Sequence, residues 1–273
     1  ILKFMSIIRS FLLFFLLTTQ VQANTIYNLI KIPNLEIYEI KTENKLRYLY
    51  AKQPFTIGVD NNINCYNSKK EDLDNKYKII KKNLDRYNQE FLKKVNLKYI
   101  VLCEDLSISK INTAGIPDHI MKTLILDIKF NQSYFERVIH HEVFHIINDS
   151  YKNLFDEKVW SDFNAKEFKY AKCSTCTDKL GLDTYRNTKG FFTEYSRSTA
   201  SEDMAEVFSH LMIGKNLENI DPILEKKIQF MKINLHKIDK IRTISISKKN
   251  LSFIQNSILK VDNKYLWNIN NIE

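Results

Sequence analysis

A chain of 273 residues with 44% hydrophobic and 27% charged side chains can bury one substantial core, or two smaller lobes sharing a cleft, which excludes wholesale disorder. The formal net charge is +9, a sign that suits nucleic acid or an anionic surface. The lysines are interleaved with acids, however, as in Lys69-Lys70-Glu71-Asp72 and Asp85-Arg86, and no aromatic–basic motif supports a specific nucleic-acid site, so the charge reads as solvated faces.

The N-terminal segment has the three regions of a secretory signal. Arg9 follows Met5, the apolar run Phe11-Leu12-Leu13-Phe14-Phe15-Leu16-Leu17 comes next, and Val21-Gln22-Ala23 closes it with a small residue at the cleavage position. The run is too short to span a bilayer comfortably. The expectation is a signal peptide over residues 1–23, with residues 1–4 preceding the start at Met5, and a mature chain from Asn24 without a membrane span. Its location would be periplasmic or extracellular. In that oxidising compartment four cysteines suggest two disulfides, expected as Cys65–Cys103 and Cys173–Cys176, the latter two being neighbours in sequence. A Cys-x-x-Cys is half of a structural zinc site, but no second one completes it.

Residues 35–59 alternate apolar and polar in places, which predicts a hairpin or small sheet. Leu73, Tyr77, Ile80, Leu84, Tyr87, Phe91 and Val95 recur at three- and four-residue steps and predict one long amphipathic helix over 70–95. Residues 97–103 and 123–130 read as strands, with a turn at Ala114-Gly115-Ile116-Pro117-Asp118 between them. From about Gln132 the pattern turns helical, over 132–149, 156–164, 200–213 and 221–240. The expected fold is α+β: a small mixed sheet in an N-terminal α/β lobe (24–130), then a helical lobe (131–273).

His141-Glu142-Val143-Phe144-His145 lies in the first of those C-terminal helices. Residues four apart share a helix face, so the two imidazoles converge on one cation, while Glu142 stands about 100° round the same arc. Val138, Ile139, Val143, Phe144, Ile146 and Ile147 occupy the remaining circumference, so the helix should be buried. Imidazoles and a carboxylate are costly in such a place without a cation to satisfy them. The pattern points to Zn²⁺, one ion per chain, with Glu142 as a base. His140 points away from the ligand face and reads as structural.

A catalytic zinc keeps three protein ligands. A Gly and a His three and six residues after His145 would extend the motif, but Asn148 and Tyr151 stand there instead, so the third ligand lies elsewhere. Glu202 and Glu206, four apart in a later helix, offer carboxylates. Thr199-x-x-Glu202 equally fits a capping box, in which Glu202 only bonds back to the helix start. Asp203 lies about 100° from Glu202 on the helix.

His141-Glu142-x-x-His145 followed by Tyr195 and Glu202-Asp203-x-Ala205-Glu206-x-Phe208 resembles the gluzincin metallopeptidases of the anthrax-lethal-factor type and the related zinc-binding metallopeptidases of bacterial secreted proteins. The segment Trp160-x-x-Phe163-Asn164-x-x-x-Phe168-x-Tyr170 resembles one common in the second group, and the likeness spans roughly residues 130–215. It implies a zincin-like fold in which the two lobes form one catalytic unit. It also implies Glu202 as third ligand, Glu206 as acceptor for a ligand imidazole N–H, Tyr195 as donor to a developing oxyanion, and hydrolysis of a peptide or protein by a metal-activated water with Glu142 as general base. Strand 123–130 would offer an edge to the substrate by the same analogy. An inactive zinc-binding peptide-recognition protein and a basic secreted nucleic-acid binder are the competing readings.

Overall fold

The computed structural model describes residue 32 and residues 35–240 apart from 179 and 215–219; the signal segment expected over 1–23 lies outside the described residues. The first half of the described chain is a curled sheet, and the second half is helical. The strands are β1 (Leu35–Glu39), β2 (Arg47–Ala51), β3 (Phe55–Ile57), β4 (Ile63–Tyr66), β5 (Tyr99–Ile108), β6 (Ile111–Asn112), β7 (Gly115–Asp118) and β8 (Thr123–Asp127). Helices α1 (Lys70–Leu84) and α2 (Gln89–Lys94) join β4 to β5; α3 (Gln132–Ser150), α4 (Glu157–Ser161), α5 (Ala200–Ile213) and α6 (Pro222–Lys240) follow the sheet.

β5 organises the sheet because it is long enough to serve two halves. Its first part pairs in parallel with β2 on one side and β8 on the other, and its last part pairs antiparallel with β4 and β6. The changeover falls at Asp105, where φ is 51°. There the Asp127 carboxylate accepts the backbone N–H groups of Asp105 and Leu106 at 3.1 and 3.3 Å, replacing ladder bonds that β8 no longer supplies. A strand covered on both flanks and faces should be apolar nearly throughout, and Ile100 to Cys103 and Leu106 are buried accordingly.

Two expectations about this half are corrected. The stretch 114–118 is not a turn between strands: Gly115–Asp118 is itself strand β7, antiparallel to β8. β8 therefore lies between β5 and β7, and residues 123–127 form no free edge; the edge beside the helices is β7. The reason is visible in the residues. Thr123 to Asp127 are all buried, as an interior strand requires, whereas Pro117 cannot donate to a ladder and suits an edge. The helix expected over 70–95 is also two. Leu84 ends α1, and Asn88 restarts the chain by accepting the Phe91 N–H at 2.8 Å; the break keeps Tyr87 and Phe91 in apolar phase, so spacing alone concealed it. Helix 156–164 shortens to Glu157–Ser161.

α3 lies against β7 and β8, with α1 and α5 beside it. One hydrophobic cluster runs from Leu46 in the sheet through Phe135, Ile139, Val143 and Phe144 to Ile238 in α6, so sheet and helices share a core. His140 is part of this packing. Its Nδ1 meets the Tyr87 hydroxyl at 2.6 Å and its Nε2 meets Asn83 Oδ1 at 3.0 Å, which pins α3 to α1, and burial pushes its pKa down to about 3. A smaller cluster under β3 and β4 contains Phe55, Leu106 and Ile125 around the Cys65–Cys103 disulfide. The second disulfide joins Cys173 to Cys176.

The Cys65–Cys103 bridge closes a segment of 38 residues containing α1 and α2. Its loss by Cys65→Ala with Cys103→Ala should lower stability by about 3–4 kcal/mol, read from urea unfolding. A loss below about 1 kcal/mol would show that the bridge adds little to the covalent constraint.

Candidate metal centre

The site forms where α3 and α5 face each other. α3 starts at Asn131, whose side chain accepts the Ser133 N–H at 2.9 Å, and runs as a helix buried on nearly every side. α5 starts at Thr199, whose hydroxyl accepts the Glu202 N–H at 3.2 Å, and stops at Gly214, where φ is 70°. Thr199 performs the cap alone. The Glu202 side chain does not turn back to the helix start but crosses to α3, which decides between the two readings of that residue.

There Glu202 Oε2 lies 2.9 Å from His141 Nε2 and 3.2 Å from His145 Nε2, and the two Nε2 atoms are 3.1 Å apart. The side chains are 7, 18 and 14% exposed for His141, His145 and Glu202. The outer ring nitrogens are engaged: His141 Nδ1 meets Glu206 Oε1 at 2.9 Å, and His145 Nδ1 meets Ser201 Oγ at 3.4 Å. A proton on each Nδ1 leaves two Nε2 lone pairs and a carboxylate oxygen aimed at one another in a low-dielectric pocket. Atoms so placed need a positive charge among them, either a proton on the raised His141 ring or a metal ion. Tetrahedral zinc bonds of about 2.0–2.1 Å place donor atoms about 3.3–3.4 Å apart, close to the spacings found. The donor set thus fits a zinc ion, and no other group of three such side chains occurs among the described residues.

The charges around the site respond to one another. Burial opposes a charge on His141, but Glu202 and Glu206 outweigh it and raise its pKa to about 10; His145 is raised in the same way, chiefly by Glu202. Glu202 is held well below the usual carboxylate range because, although burial raises it, the two imidazoles prevail. Glu142, on α3 between the histidines, is pushed up by burial while His141 and His145 pull it back. Its side chain is accommodated by β7: a Cβ on Gly115 would come within 2.6 Å of Glu142 Cγ. Tyr195 lies in the short 3-10 turn Tyr195–Arg197 before α5, its ring 5.8 Å from that of His141. Burial and the Glu202 and Glu142 charges raise its pKa, so it stays a hydroxyl donor at neutral pH.

Glu206 does more than meet His141. Its Oε2 accepts the Thr193 hydroxyl at 2.9 Å, and Thr193 is tied to Ser196 in the Tyr195 turn at 3.1 Å. Asp203 faces away from the metal centre. Its Oδ2 accepts Trp160 Nε1 at 2.7 Å, the Tyr170 hydroxyl at 2.6 Å and Lys227 Nζ at 2.6 Å, all in the core. The aromatic segment 160–170 thereby anchors α5 one residue from Glu202, and α6 is joined to it through Lys227.

Sequence reasoning did not find Arg137, Thr193, Ser201 or Gly115. Arg137 stands one helical turn before His141 and Ser201 beside Glu202, positions that periodicity places near the site. A glycine inside a strand is a sign of close approach, which Gly115 fulfils. Thr193 gives no local sign, since it depends on a loop folding back.

A buried His-Glu-x-x-His helix with a carboxylate from a later helix, in an α+β fold, is an arrangement that fits a zinc-type metal site. Residues 56–255 match the family described as "Putative zinc-binding metallo-peptidase", and the chain belongs to that family. This is the second of the two groups its motifs resemble, not the lethal-factor type specifically. Among solved structures it is similar to a crystal structure of a putative zinc-binding metallo-peptidase from Bacteroides caccae ATCC 43185, at 16% identity over 77% of this chain and 83% of that one, with a TM-score of 0.45. No curated protein matches the chain.

Lys227 and Asp203 are both fully buried, so removing one partner strands the other. Lys227→Met should cost about 3–5 kcal/mol of stability, measured by denaturant unfolding at neutral pH. A cost under about 1 kcal/mol would mean that the pair does not hold α6 to α5.

Proposed function

We propose that the protein is an exported zinc-dependent peptidase, with one zinc ion held by His141, His145 and Glu202. The observation that carries this reading is the meeting of two imidazole Nε2 atoms and a carboxylate oxygen within 2.9–3.2 Å of each other, beside the buried carboxylate of Glu142. When bound, zinc supplies Lewis-acid polarisation of a carbonyl and lowers the pKa of a water.

The remaining work falls to the chain. Glu142, whose pKa burial raises, takes the proton of the attacking water on its carboxylate and passes it to the leaving amine. The Tyr195 hydroxyl donates to the oxygen that becomes negative as the peptide carbonyl turns tetrahedral. Glu206, through Nδ1 of His141, keeps that ring in the tautomer and orientation that direct Nε2 inward. The substrate is a peptide or protein, its backbone pairing with the edge of β7 that no other described strand takes up, the strand that lies against Glu142. Export is supported by the two disulfides, which take up Cys65, Cys103, Cys173 and Cys176.

Glu142→Gln should retain zinc and lose peptide hydrolysis by at least about a thousandfold, followed with a peptide library and metal analysis of the same sample. Zinc retained with full turnover would remove Glu142 as the base; zinc retained with no turnover even in the wild type would favour a peptide-binding protein. Tyr195→Phe should lower kcat by about 10²–10³ with little change in KM, and an effect on KM alone would contradict its role as an oxyanion donor.

A further inference from the structure

Arg137 precedes His141 by four residues on α3, and its side chain is only 9% exposed. Burying a guanidinium is costly unless its surroundings return the lost hydration. Two hydrogen bonds and an ion pair do so in part: NH2 donates to Leu182 O at 2.5 Å, NH1 donates to Thr184 Oγ1 at 3.3 Å, and Nε, which makes no hydrogen bond, faces Glu206 Oε2 at 3.7 Å.

Glu206, 2% exposed at the side chain, needs this neighbour. If His141 is a neutral zinc ligand, the hydrogen bond from Nδ1 brings no whole charge to Glu206, and neither does the Thr193 hydroxyl on its other oxygen. His210 stacks on Phe192 and offers only a ring nitrogen, 3.5 Å from Arg137 and bonded to Thr184 at 3.1 Å. Its own pKa is pushed down to about 4, chiefly by burial, so it is neutral at pH 7. Among the described side chains Arg137 is then the standing cation beside Glu206.

The other end of the guanidinium holds residues 182–184. That segment continues from Gly181, whose backbone accepts the Tyr195 N–H at 3.0 Å and donates to Glu194 Oε2 at 3.1 Å. Thr184 also bridges to Thr193, which hydrogen-bonds Glu206. One side chain thus touches both the carboxylate behind the metal-binding histidine and the strap on which the Tyr195 turn rests.

We propose that Arg137 is a positioning residue for the metal centre: its charge balances Glu206, so that Glu206 holds His141 for zinc, and its fork fixes the 181–184 strap beside Tyr195. This rests on the zinc reading of the site. The charge and the fork are separable. Arg137→Lys keeps the charge, but an ammonium is a point donor that does not reproduce the two-pronged contact with Leu182 and Thr184.

The experiment is a double-mutant cycle on zinc affinity, measured by chelator competition on the full chain. Arg137→Gln should weaken zinc binding at least about tenfold, within the range expected when a ligand's outer partner is disturbed. In a Glu206→Gln background the same change should shift affinity less than about twofold, because no carboxylate is left to balance. Equal losses in both backgrounds, or none in either, would overturn the proposal. Arg137→Lys, which guards against misfolding of the glutamine variant, should hold zinc within about threefold of wild type yet lower kcat at saturating zinc; a tenfold loss of zinc with Lys would equally overturn it. A wild type that binds no zinc would defeat the underlying reading as well, whereas zinc bound without coupling would defeat this proposal alone.

Discussion

Two imidazoles and a carboxylate drawn together in a protein interior need a positive charge to share, and here they are held within 2.9–3.2 Å of one another by two separate helices. Neither helix can relieve the repulsion locally. Each is packed on several sides, and their outer hydrogen bonds fix the side chains in the directions that bring the lone pairs together. A cation placed among the three groups would turn this opposition into attraction. The buried position makes the cost of its absence large, and it equally makes the interactions inside the site strong.

Support for that centre extends outward in layers with different chemistry. Next to the ligands lie Glu206 and Ser201, each facing an outer ring nitrogen. Beyond them the contacts become those that hold helices in place. Asp203 gathers Trp160, Tyr170 and Lys227, and so joins α4, the following aromatic loop and α6 to α5 within one residue of Glu202. On the other helix His140 ties α3 to α1 through Tyr87 and Asn83. Adjacent residues on each helix thus divide the labour: one of each pair faces the metal centre and its neighbour faces the core, as a step of about 100° per residue demands.

The convergence of His141 and His145 is legible because its information is local: residues four apart on a helix share a face. Glu202 was legible only in part, since a threonine three residues earlier offers a capping explanation that spacing cannot dismiss; the outcome depends on what faces the carboxylate across the gap. The turn expected at 114–118 and the edge expected at 123–130 are overturned for a related reason. Residues 123–127 and the short 115–118 segment both describe themselves adequately, but which of them lies outermost is a matter of pairing between distant segments, and Gly115 with Pro117 resembles a turn to any local reading. The helix 70–95 failed because Asn88 interrupts the backbone without disturbing the apolar phase. Arg137 and Thr193 matter through contacts 69 and 13 residues away, with Glu206 in both cases, which no window along the chain reveals.

The direction of the Glu202 carboxylate when metal is present decides whether the site is a three-ligand centre. Anomalous diffraction at the zinc edge from crystals of the zinc-loaded protein tests this directly. The expected result is a single peak about 2.0–2.2 Å from Nε2 of His141, Nε2 of His145 and a carboxylate oxygen of Glu202. A peak bound by the two histidines alone, with Glu202 folded back to the start of α5, would contradict it.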